Sequence, residues 1–171
     1  MANTPIARAF HGLRDHVSVL KLEGQLRYPH AHALRRLADD LLAEEQIETV
    51  LLDLRGVELI DSTVLGVLAR MGRANLERRG RRAIVVCAPG EVATCLLSSA
   101  LDTLFAMVDD YTFEPSVSLV EVPIEPPKGV LEAKLGQLML EAHRDLSAVN
   151  PRNSQAFQDV ISALESELRG R

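Results

Sequence analysis

The sequence lacks any apolar run long enough to cross a membrane. None of its 171 residues lies in a stretch approaching about 18 uninterrupted apolar residues, the length at which a membrane-spanning helix is expected. The segment 1–11 also has no long apolar block after a basic start, so we expect no secretory signal. The sequence therefore predicts a cytoplasmic protein that does not insert directly into a membrane.

Cysteine is scarce, with only Cys87 and Cys95 in the chain. Both lie in apolar surroundings, which favours two buried, reduced thiols. A disulfide would need an oxidising compartment, and a metal site would need more ligands. The pair His30 and His32 has no nearby cysteine or carboxylate to complete a metal set. We predict no metal site and no cofactor.

A basic surplus and enzyme motifs are also missing. The net charge of -5 argues against a nucleic-acid partner, which usually selects for a basic face. The sequence has no glycine-rich nucleotide fingerprint after the first predicted strand and no phosphate-binding loop. It shows no serine–histidine or cysteine–histidine signature and no paired carboxylates in a credible cleft. The sequence therefore predicts a binding protein and not an enzyme.

What is present is a regular alternation of strand and helix patterns. Short β-branched and aliphatic runs predict strands at 16–22, 48–54, 83–88 and 105–108. Between them, apolar residues at helical spacing predict helices from residue 31, over 61–80 and after Pro89. The run at 48–54 is apolar on both faces, as in a strand buried on both sides. This order predicts an α/β domain over residues 1–112 with a mostly parallel or mixed sheet.

The remaining sequence changes character twice. Residues 113–127 contain four prolines, which predicts a linker with at most an edge strand at 117–122. Residues 128–171 carry two amphipathic stripes, Leu131/Leu135/Leu138 and Phe157/Ile161/Leu164, and predict a C-terminal helical hairpin. Because an isolated hairpin is unstable in water, we expect its stripes to be buried. They would pack on the α/β domain, on a second copy in a homodimer, or on a partner.

Four segments resemble the STAS family of the anti-sigma-factor antagonist type. They are VLLDLRGVELIDSTVLGVL at 50–68, the Gly-Arg-Arg turn before AIVVCAPGEV, ALDTLF at 100–105, and LEGQLRY at 22–28. The resemblance spans about residues 14–112 and excludes the hairpin. It implies a mixed sheet of four or five strands with helices packed on one side. Val64 and Ala100 stand where the family often has glycine.

The resemblance implies that Ser62 is a phosphate acceptor, with Thr63 as the nearest alternative. Asp61, Ser62, Thr63 and Val64 would then form the partner-binding surface. A second interpretation, compatible with the first, is that Asp61, Ser62 or Thr63 caps the helix that begins there. Asp53, at the end of the buried strand, is expected to bond the N–H groups that follow it.

The implied partners are a serine kinase that is also an anti-sigma factor, and a PP2C-type phosphatase that resets Ser62. The alternative function is a non-catalytic subunit of a membrane transport ATPase assembly, in which Ser62 need not be modified. A basic cluster is either a solvated helix end or a docking patch for an acidic partner. It comprises Arg70, Arg73, Arg78, Arg79, Arg81 and Arg82.

Overall fold

A computed structural model of the chain describes residues 6–111, 117–125 and 132–170. Six strands form one mixed sheet in these residues, and they are β1 (Arg8–Arg14), β2 (Val17–Leu26), β3 (Thr49–Ile60), β4 (Ala83–Val86), β5 (Phe105–Val108) and β6 (Val120–Val122). The helices are α1 (Ala31–Ala43), α2 (Ser62–Arg79), α3 (Glu91–Ser98), α4 (Glu132–Ser147) and α5 (Pro151–Arg169). The predicted α/β class with a C-terminal helical pair is confirmed.

The sheet has the order β5-β4-β3-β2-β1-β6. Strands β2 to β5 are parallel neighbours, whereas β1 pairs antiparallel with both β2 and β6. The centre of β3 is buried on both faces, as its apolar run predicts: Leu52 packs into the main core under the helices, and Leu51 packs on the opposite face with Val19 and Val86. The helices lie on one side of the sheet.

Strand β1 is absent from the sequence prediction, which expected four or five strands. Its sequence RAFHGLR mixes charged, small and apolar residues without a clean alternation. The hairpin turn to β2 is also atypical, because Asp15 and His16 both take positive φ angles, 46° and 65°. Asn-Gly or Asp-Gly is the usual signal for such a turn. Because this turn has neither pair, it was not recognisable from the sequence.

Strand β2 runs beyond residue 22, where the sequence predicts its end, and passes through Gly24. The strand continues to Leu26 with a change of register against β3. Gly24 takes a φ of +78°, and a Cβ there would lie 2.4 Å from the carbonyl oxygen of Ile6. Glycine is therefore required by a close backbone approach within the strand.

The two C-terminal helices pack on the chain's own α/β domain. Helix α4 lies against α2 so closely that a Cβ on Gly66 would be 2.1 Å from the carbonyl oxygen of Ala142. Near the start of α5, the buried side chain of Asn153 donates to the carbonyl oxygens of Ser99, at 2.9 Å, and Leu146, at 3.0 Å. The hairpin is thus tied to the domain at both of its helices.

The burial of the predicted stripes is uneven. On α4, Leu138 and Leu146 are buried and Leu135 is half-buried, whereas Phe157, Ile161 and Leu164 on α5 are half-buried. Leu131 lies outside the described residues. The predicted boundaries of the 113–127 linker also fall in segments outside the described residues, so the division into domains stays a prediction.

Candidate functional site

The site lies where β3 ends and α2 begins, with Asp61 between them. The Asp61 carboxylate accepts a hydrogen bond from the backbone N–H of Val64 at 2.9 Å, which makes it the N-cap of α2. Its second oxygen accepts from the backbone N–H of Tyr28 at 2.6 Å. The backbone N–H of Asp61 donates to Leu26 at 3.1 Å. Asp61 therefore joins the ends of β2 and β3 to the start of α2.

The four predicted partner-binding residues differ in exposure. Asp61 and Ser62 are half-buried, whereas Thr63 is 3% exposed and Val64 is 0% exposed. Ser62 is the first residue of α2, so its hydroxyl lies beside the unpaired N–H groups and the positive end of the helix dipole. Of the two hydroxyl-bearing residues, Ser62 and Thr63, Ser62 is the more exposed.

His143 of α4 bonds to Ser62 directly. The Nε2 atom of His143 lies 3.0 Å from the Oγ atom of Ser62, and Nδ1 lies 2.7 Å from the carbonyl oxygen of Met139. A carbonyl only accepts, so Nδ1 carries a hydrogen; in the neutral ring Nε2 then accepts from the Ser62 hydroxyl. The ring is 3% exposed and meets Phe157 edge-on at 5.8 Å.

This contact was not predicted from the sequence, because His143 is 81 positions from Ser62 and stands apart from other histidines. A weaker signal was available in the helical spacing. Met139, Ala142, His143 and Leu146 recur at the i, i+3, i+4 and i+7 positions that share one face of a helix. That pattern places His143 on the packed side of α4.

Ion pairs flank the contact between α4 and the domain. Arg35 of α1 bonds to Glu141, and this hydrogen bond lowers the pKa of the Glu141 carboxyl. Arg73 of α2 donates to the carbonyl oxygen of Asp145 at 2.7 Å and lies 3.4 Å from its carboxylate. Burial raises the pKa of Asp145 and outweighs the opposing effect of Arg73.

Asp53 has the structural role that the sequence predicts. Its carboxylate is 1% exposed and accepts from the backbone N–H of Arg55 at 3.1 Å. The guanidinium of Arg55 also donates to both Asp53 oxygens and to Asp110. This network fixes the middle of β3 and lies apart from the Ser62 contact.

Most of the basic cluster bonds to backbone carbonyl groups. Arg78 and Arg79 donate to the carbonyl oxygens of Leu42 and Ile47, at 2.9 and 2.8 Å. Arg81 donates to Glu48. These bonds close the end of α1 and the turn that follows it. Burial lowers the pKa of Arg79, helped by the neighbouring Arg78 and Arg81.

The cysteines and histidines do not converge. Cys87 and Cys95 are both free thiols, and burial raises the pKa of Cys87. His30 accepts from the backbone N–H of Arg27 at 3.1 Å. In the described residues, no three histidine, cysteine or carboxylate side chains are placed to hold a metal ion. No helix in the same part of the chain is both long and apolar enough to cross a membrane.

One family model and two solved structures are similar to parts of this chain. The STAS domain family model matches residues 13–118 and leaves α4 and α5 outside. The NMR structure of the protein TM1081 is similar, with a TM-score of 0.50, 26% identity, and coverage of 58% of this chain and 78% of that chain. The Bacillus cell fate determinant SpoIIAA in its phosphorylated form gives a TM-score of 0.46 at 14% identity, covering 60% and 92%. Among curated proteins, no sequence matches the chain.

Proposed function

Because the chain belongs to the STAS domain family, we propose that it is a phosphorylation-controlled protein-binding switch of the anti-sigma-factor antagonist kind. In this proposal the unmodified chain binds a kinase-type anti-sigma factor in the cytoplasm and so frees that factor's client. The observation that carries it is the position of Ser62, a half-buried serine that opens α2 directly after the capping carboxylate of Asp61.

The proposed modification is a phosphoryl transfer from ATP. The Oγ atom of Ser62 attacks the γ-phosphorus, the bond from that phosphorus to the β,γ-bridging oxygen breaks, and ADP leaves. The hydroxyl proton passes to a base of the kinase or to water. A PP2C-type phosphatase reverses the change when water attacks the phosphorus and the serine oxygen departs, which releases inorganic phosphate.

The helix start suits such a switch for electrostatic reasons. A phosphate carries a charge of about -1.5 to -2 at neutral pH, and the positive end of α2 stabilises it without unfolding the helix. Because Asp61, and not Ser62, caps α2, the cap survives modification. The effect is then on the docking surface, where a partner that fits a hydroxyl meets a dianion beside the Asp61 carboxylate.

The proposed docking surface consists of Asp61, Ser62, Thr63 and Val64. Tyr28 extends it, since its side chain is exposed and its backbone N–H donates to Asp61. Thr63 and Val64 are buried in the described arrangement, so they would contribute by shaping the start of α2. A partner would contact Asp61, Ser62 and Tyr28 first.

Phosphosite mapping tests the proposal. We expect the cognate kinase and ATP to modify the full chain chiefly at Ser62, as read by peptide mass spectrometry. Ser62→Ala should abolish the main phosphopeptide and keep the fold, whereas Ser98→Ala, at an exposed serine on α3, should leave it unchanged. A dominant site outside 61–64, or co-purification with a membrane ATPase in place of a soluble kinase, would contradict the proposal.

A further inference from the structure

The C-terminal hairpin lies over the half of α2 that begins with Ser62. Helices α2 and α4 approach closely at Gly66, one turn after Ser62, where the backbone of Ala142 leaves no room for a Cβ. His143, the next residue, reaches the Ser62 hydroxyl. The segment lies outside the part matched by the STAS family model, so it is an addition placed on the proposed switch site.

The hydrogen bond between Ser62 and His143 leaves no space for a phosphoryl group along its direction. Oγ and Nε2 are 3.0 Å apart, which is a direct hydrogen-bond distance with no room for another heavy atom. The hydroxyl hydrogen that transfer must remove is engaged by the imidazole. Once Oγ bonds to phosphorus this hydrogen is gone, so the hydrogen bond that Ser62 donates to His143 is lost.

The surroundings of His143 also disfavour a phosphate beneath the docked hairpin. The ring is almost fully buried and lies against Phe157, and a dianion placed there would lose its hydration. Arg35 and Arg73, the cations that pair with carboxylates of α4, are already engaged by Glu141 and Asp145. A phosphate that recruited either arginine would do so by weakening the hairpin's attachment.

We propose that the hairpin is a built-in cover for Ser62, and that the docked hairpin and phosphorylated Ser62 exclude each other. A kinase must meet the open form, and a phosphate on Ser62 then keeps α4 away from α2. The identity of the modification rests on the proposed function, whereas the cover itself is a property of the α2–α4 contact.

Gly66 offers a way to open the cover without weakening α2. Alanine is a better helix former than glycine, but its Cβ would collide with the Ala142 carbonyl group. Gly66→Ala should therefore push α4 off α2. Gly136→Ala is the matched control, because its Cβ would meet only the end of the flexible Leu168 side chain, at 3.2 Å.

Hydrogen–deuterium exchange of the full chain tests the cover without a kinase. The variants carry site-specifically incorporated phosphoserine at position 62 or, as a charge control, at exposed position 98. We expect phosphoserine at 62, like Gly66→Ala, to speed exchange in α4 by about tenfold or more, because helices held by tertiary contacts exchange through local opening. Exchange in β3 should stay unchanged, and phosphoserine at 98 and Gly136→Ala should have no effect.

Unchanged protection of α4 in the chain with phosphoserine at 62 would overturn the inference, and so would an equal rise in α4 and β3. If Gly66→Ala fails to fold, Arg35→Glu replaces it as the opening variant, and Arg35→Glu with Glu141→Arg should restore protection. The outcome is separable from the proposed function. If phosphoserine at position 62 opens the hairpin but no kinase modifies Ser62, the inferred cover stands and the proposed phosphorylation switch fails.

Discussion

Asp61 joins segments that are 33 positions apart, because one carboxylate accepts from Val64 in α2 and from Tyr28 after β2. We expect Asp61→Ala to lower the free energy of unfolding by about 1–2 kcal/mol, as for other lost caps. Asp61→Asn keeps one oxygen acceptor and should lose less. Urea denaturation of the three proteins measures this, and an Asp61→Ala chain as stable as the parent would show that the cap is dispensable.

Ala100 occupies a left-handed backbone conformation, with φ 55° and ψ 29°. Residues with a Cβ are strained there by about 1–2 kcal/mol, and the resemblance to the STAS family implies a position where glycine is common. Ala100→Gly should raise the thermal midpoint. Ala93→Gly, inside α3, is the control and should lower the free energy of unfolding by about 1 kcal/mol. A destabilised Ala100→Gly chain would contradict this account of the turn.

The residues that could be predicted from the sequence are those with local roles. Asp53 follows a buried apolar run and bonds two residues ahead, so its role could be inferred from position alone. The N-cap of α2 could be assigned to Asp61, Ser62 or Thr63, because a cap also depends on residues close in sequence. His143 could not be paired with Ser62, because that contact depends on how α4 crosses α2.

At the scale of elements, helix and strand periods located the parallel strands and the five α-helices of the described residues. β1 escaped because its turn uses two non-glycine residues with positive φ. The end of β2 was predicted at residue 22, but the strand continues through Gly24, where a close backbone approach requires glycine. In both cases tertiary geometry outweighs the local pattern.

Helix α4 buries Leu138 and Leu146 in the main apolar core. Full burial of Leu138 and Leu146 contributes about 3–6 kcal/mol before chain entropy is counted. We expect a fragment ending at residue 125, which retains β6 and the buried Ile124, to keep a folded α/β domain. It should unfold at a lower denaturant concentration than the full chain.

Circular dichroism and size-exclusion chromatography of this fragment, beside the full chain, provide the measurement. A cooperative unfolding transition in a monomeric fragment is the expected result. An unfolded fragment would show that the hairpin belongs to the core and that the predicted domain boundary is wrong.

At the scale of the whole molecule, the start of α2 forms part of the proposed docking surface and also contacts the hairpin, through Ser62 and His143. The sheet brings the ends of β2 and β3 together at Asp61, and the hairpin returns to the same place through His143. If a partner binds only the open form, its apparent affinity is reduced by the fraction of chains that are open. Because Gly66→Ala should hold the hairpin open, the closed fraction no longer lowers the apparent affinity. The effect of the phosphate on binding can then be measured by itself.

The most direct test of the switch is the affinity of the kinase-type partner for the Gly66→Ala chain, with serine or phosphoserine at position 62. Isothermal titration calorimetry measures both Kd values with the hairpin open in each. We expect phosphoserine to weaken binding by about tenfold or more, equivalent to about 1.4 kcal/mol, because a bulky dianion replaces the hydroxyl that the partner fits at the docking surface. Equal Kd values for the two chains would contradict the account.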